Sequence, residues 1–163
     1  MATLATTEAT VPVTQVAYIP LGTAGAQYDV GITPVDAKRY CVFYCDKPTY
    51  IVGMSIVADA TPASAIITCK ALYAPSPIGT TATAVDIGAA TTLTASAGQG
   101  SAAALAAQFT ALTINDNGVT DTTSPQYGRP FLVPAGNWVG FIVSGTVSTT
   151  HKLSGVILRY RCP

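Results

Sequence analysis

Charge is scarce in this chain of 163 residues: Asp, Glu, Lys and Arg make up 10% of it, and the two signs cancel to zero. An average soluble domain carries roughly 25%. A surface so poor in ions is hard to solvate alone, which predicts outer faces partly covered by other protein. The plainer alternative is a Thr-rich and Ser-rich β domain whose hydroxyls do the solvating. Binding through phosphates needs clustered cations. Here Lys38-Arg39, Lys47, Lys70, Arg129, Lys152, Arg159 and Arg161 are scattered singly or in pairs. Nucleic acid is therefore not an expected partner, and the same scarcity argues against a membrane surface.

Long apolar runs are also missing. Nothing approaches the roughly 20 residues of a membrane helix. The opening MATLATTEATVPVTQ lacks a basic segment followed by an apolar one, so it does not read as a secretory signal. The expected compartment is a cytoplasm, where the four cysteines Cys41, Cys45, Cys69 and Cys162 stay reduced. Cys41 and Cys45 lie in YCVFYC, which reads as a strand. Extended spacing of about 3.3 Å per residue separates their Cα atoms by roughly 13 Å, too far for a mutual disulfide. Strict alternation would put both on one face. Buried free thiols are the expected reading.

The single histidine, His151, sits in the polar stretch SGTVSTTHKLSG, remote from any cysteine pair, so no metal site is assigned. No G-x-S-x-G elbow accompanies it. The eight acids Glu8, Asp29, Asp36, Asp46, Asp59, Asp86, Asp116 and Asp121 fall mostly in expected turns, which explains them without paired-carboxylate chemistry. Asn115-Asp116-Asn117-Gly118 is faintly similar to a calcium loop. Counting Gly118 as the sixth position, however, puts Thr113 first and Ser124 twelfth, and neither fits an EF-hand, which leaves a calcium site of another kind at a loop tip as the alternative. Phosphate-cradling glycine motifs are absent. The reading is no enzyme, no cofactor and no small-molecule substrate. Glycan binding leaves little trace in a sequence, and Tyr50, Tyr127 and Trp138 are its candidate aromatics.

What is present is a run of short strands separated by turn residues, the signature of a sandwich or barrel. The expected strands are Gln15–Leu21, Gln27–Ile32, Arg39–Cys45, Thr49–Ala58, Ala65–Tyr73, Thr83–Ile87, Phe109–Ile114, Asn137–Ser144 and Leu153–Arg161. In the fourth, alternation places Val52, Met54 and Ile56 on one face. In the last, Val156, Leu158 and Tyr160 oppose Ile157, Arg159 and Arg161. Trp138 to Val143 is apolar on both faces, which predicts a central strand. Pro134-Ala135-Gly136 and Asn117-Gly118 are turn chemistry, the latter read as part of a longer loop. SAAALAAQ at 101–108 predicts one or two turns of helix, capped by Ser101. The fold class is thus all-β: an antiparallel, jelly-roll-like β-sandwich over residues 15–163, with at most one short helix. Residues 1–14, with Glu8 their one charge, read as an extended N-terminal arm lying along a neighbouring chain or on its own domain.

The pattern TATAVDIG…TTLTAS, FTALTI, FLVPAGNWVGFIVSGTVS and LSGVILRYR resembles small jelly-roll proteins of tailed bacteriophage heads over roughly residues 65–161. The turn Val133-Pro134-Ala135-Gly136 and the later Ser144-Gly145-Thr146 carry the likeness. The resemblance implies a capsid decoration (cement) protein on the virion surface, assembled in the host cytoplasm. Its implied partners are copies of itself, as a homotrimer, and the major capsid protein. Val11, Val13, Val16, Tyr18 and Ile19 are the candidate interface residues. The alternative is a tail or fibre module that binds a host surface glycan. A genome-packaging coat is disfavoured, because the arm has no Lys or Arg to neutralise phosphates.

Overall fold

The computed structural model describes residues 13–21, 35–60, 67–77, 84–93, 109–114, 123, 129–145 and 152–163. Among them are ten strands and no helix: β1 Gln15–Pro20, β2 Arg39–Cys45, β3 Thr49–Ala60, β4 Ile67–Ala74, β5 Val85–Asp86, β6 Thr91–Thr92, β7 Phe109–Leu112, β8 Phe131–Val133, β9 Asn137–Gly145 and β10 Lys152–Arg161. All pair antiparallel, in two sheets. The first sheet runs β1-β10-β3 and then splits, β7 taking the Met54–Val57 part of β3 and β8 the Thr49–Ile51 part. The second runs β2-β9-β4 and splits likewise between β5 and β6. From β1 to β4, and again from β8 to β10, successive strands alternate between the sheets. With each split edge counted as one position, this is the winding of a jelly roll.

Alternation builds the core between the sheets. Val139, Phe141 and Val143 of β9 are fully buried, as are Val156 and Leu158 of β10. Aromatic pairs bridge the layers: Phe43 meets Tyr160 at 4.9 Å and Tyr73 meets Phe131 at 5.7 Å between ring centroids. β9 lies between β2 and β4, the central place its two apolar faces predict. The Pro134-Ala135-Gly136 turn delivers the chain into it, with Gly136 at φ 80° and its N–H donated to the Cys45 carbonyl.

The ladders carry three register shifts between β10 and β3 and one between β2 and β9, and two of these overturn alternation read from the sequence. On β3, Ile51 pairs with Tyr160 and Gly53 with Arg159, so Val52 is an extra residue. The slip keeps Ile51 and Met54 both buried and leaves Val52 half-buried, apart from the Met54–Ile56 face. On β2, Cys41 pairs with Gly140 and Phe43 with Val139, so Val42 is the extra residue. Cys41 and Cys45 therefore have opposite parity: Cys45 is buried and Cys41 half-buried. β6 and β8 were not expected; at two and three residues they are too short for periodicity to register. The expected strand Gln27–Ile32 and the helix at 101–108 lie outside the described residues. So do His151, the loop at 115–118 and residues 1–12 of the arm.

Candidate interaction surface

The register assigns each side chain of the first sheet to the core or to its outer face. On β1, Ala17 and Ile19 pair with the buried Leu158 and Val156 and turn inward, while Val16 and Tyr18 pair with Arg159 and Ile157 and turn outward. Of the interface residues named from the sequence, Val13, Val16 and Tyr18 are exposed, at 77%, 65% and 57%. Ile19 is partly buried and packs against the core. Val11 lies outside the described residues.

Tyr18 is held flat on the sheet. A Cβ at Gly155 would meet its ring within 2.6 Å, and its hydroxyl donates to the Ser154 carbonyl at 3.3 Å. Glycine at 155 thus makes room for an aromatic on the outer surface. At the far side, Leu132 projects outward between the buried Phe131 and Val133 and pairs with Tyr50. Tyr50 faces outward because of the Val52 bulge; unbroken alternation would give it the parity of Met54 and Ile56. Val16, Tyr18, Tyr50 and Leu132 are four of the eight large exposed apolar residues among those described.

The register places two cations on this face, Arg159 and Arg161. Arg159 lies opposite Gly53, where its Cδ is 3.9 Å from the space a Cβ would fill, so the stem crosses β3 without obstruction. Arg161 lies opposite Tyr50, and its Nε donates to the Thr14 hydroxyl at 2.6 Å. The sequence showed cations ending one face of β10. It did not show that Tyr50 and Leu132, from strands distant in the chain, join them.

The outer face of the second sheet differs. Lys70 and Asp86 form an ion pair at 2.6 Å, and Tyr44 lies against Trp138 at 5.2 Å. Tyr50 and Trp138 thus occupy different sheets and share no site, and Tyr127 is outside the described residues. The thiols offer no activated nucleophile among the groups with a resolved shift. Burial raises the pKa of Cys41, Cys45 and Cys69, the last to about 12. Among the described residues no group of three His, Cys, Asp or Glu could hold a metal ion. No helix among them is long and apolar enough to cross a membrane.

What the arrangement can do is adhere. A flat sheet face with large apolar side chains and two guanidinium groups, built on strands locked into a core, has the chemistry of a protein interface. No family model matches the chain, and neither does any curated protein or solved structure.

Proposed function

We propose that this chain is a structural virion protein, a capsid decoration (cement) protein that binds the major capsid lattice as a homotrimer and stabilises the shell. The observation that carries the reading is the apolar, cation-bearing outer face of a jelly-roll sandwich. A composition of 10% charged residues suits a subunit whose surface is shared with neighbours. The test is to mix the purified protein with virion heads made without it. Binding with a gain in thermal or osmotic resistance is the expected result; no binding to heads overturns the reading.

A second reading, a tail or fibre module binding a host glycan, draws on the exposed Tyr44 beside the half-buried Trp138. Glycan-array binding lost in Tyr44→Ala, together with no affinity for heads, would favour it.

A further inference from the structure

The geometry points to Cys45 and Cys162 as a redox clasp, two thiols that an oxidant joins into a disulfide between the sheets. This goes beyond the decoration-protein reading, does not depend on it, and is tested on the protein alone.

β2 and β10 face each other across the core, where the rings of Phe43 and Tyr160 meet at 4.9 Å. Cys45 lies two residues beyond Phe43, and Cys162 two beyond Tyr160. Alternation therefore turns both cysteines to the interior, on the side of those rings. Cys45 is fully buried there and Cys162 half-buried. Thr49 links them. Arg161 pairs with Tyr50 in the antiparallel β10–β3 ladder, so one further step sets Cys162 beside Thr49. Thr49 is itself buried, and its hydroxyl is in hydrogen-bond contact with the Cys45 thiol. Electrostatics agrees: burial is the largest influence raising the Cys45 pKa, and Cys162 adds to the rise, as only a near neighbour does.

Among the described residues no group of three ligands for a metal includes the pair. Disulfide formation is the chemistry open to two facing thiols. Facing sheets stand about 10 Å apart, whereas a disulfide needs Cα atoms within about 7 Å. Cys162 lies past the last ladder residue, Arg161, so its backbone can close the gap without breaking a strand pairing. Other sandwiches carry disulfides between their sheets.

The oxidant is a low-molecular-weight disulfide such as oxidised glutathione. The Cys162 thiolate, the more accessible of the two, attacks one of its sulfurs and expels a glutathione thiolate, leaving a mixed disulfide. The Cys45 thiolate then attacks the Cys162 sulfur, forms the Sγ–Sγ bond and expels the second glutathione. Two protein thiols lose two electrons, one external disulfide becomes two thiols, and the two protons pass to the leaving thiolates. In a reducing compartment the pair stays open; it closes where oxidised thiols prevail. Closure spans a long stretch of chain and so restricts the unfolded state.

The experiment treats the whole folded chain, first reduced, with oxidised glutathione. Free thiols should fall from the four of the sequence to two. Cys41 shares a tryptic peptide with Cys45, so the link is mapped in Cys41→Ser by mass spectrometry without reductant. The expected result is a Cys45–Cys162 cross-linked peptide and a Tm about 5–10 °C above that of the reduced protein. Cys162→Ser, at a half-buried position, should abolish both, as should Cys45→Ala; if the latter does not fold, Cys162→Ser decides. Four thiols remaining, a persistent glutathione adduct on Cys162, or a link to Cys69 or to another copy overturns the proposal. So does a thiol loss that vanishes in Cys41→Ser, which makes Cys41 the partner. A link that lowers Tm overturns it too, because the sulfurs then meet only by distorting the fold.

Discussion

Two glycines meet their neighbours in opposite ways, and their substitutions should separate. A Cβ at Gly140 would strike the backbone of Tyr40 and Cys41, which cannot withdraw without breaking the β2–β9 ladder. Gly140→Ala should cost about 3 kcal/mol, the upper range for overpacking, read from the denaturant midpoint. At Gly155 the obstacle is the ring of Tyr18, an exposed side chain able to swing away. Gly155→Ala should cost about 1 kcal/mol or less and displace Tyr18. Cys69 gives a prediction in pH. Burial holds its thiol neutral in the fold, with a pKa of about 12. A raised folded value means the contribution is complete below the unfolded pKa of about 8.5 and is lost as pH rises toward the folded one. Stability should therefore fall between about pH 8.5 and about pH 12, and Cys69→Ala should make that fall shallower in urea titrations. Cys45 and Tyr40, both also raised by burial, account for part of the remaining slope.

At the level of the strand, length decides what a sequence reveals. β9 alternates along most of its nine residues and β10 from Val156 onward, and both are legible with their boundaries within one residue. β8 spans three residues, yet its Phe131 is 7% exposed and packs on Tyr73 across the sandwich. Phe131→Ala should therefore cost about 3–5 kcal/mol, similar to Phe141→Ala at the centre of β9, in equilibrium unfolding. Bulges are the second source of illegibility. Counting by twos assumes an unbroken ladder, and the extra residues Val42 and Val52 break it, the first opposite Gly140 of the partner strand and the second next to Gly53 of its own. Hence Val16 and Tyr18 could be named from the sequence, Arg159 and Arg161 could be seen to share a side, and the outward turn of Tyr50 could not. Leu132 was hidden with its strand. The Lys70–Asp86 pair ties β5 to β4 at a surface where solvent screens it. Lys70→Met should change stability by less than about 1 kcal/mol, the range for exposed pairs.

For the whole molecule, low charge sets colloidal behaviour. With zero net charge and a pI near 6.5, copies repel one another least around neutrality. Light scattering should show association greatest near pH 6.5 and reduced well above or below it. Topology has a further effect. β1 and β10 are neighbours, and Thr14 touches Arg161 through a 2.6 Å hydrogen bond. The first and last strands therefore close the sheet side by side, and a short peptide from Cys162 to Thr14 would splice them. A chain so joined and reopened at Pro75–Pro77, beyond the end of β4, would keep every ladder described while beginning at a different strand. Such a rearranged gene should yield the same sandwich, because this architecture is specified by which strands lie beside each other and is indifferent to the order in which they are synthesised.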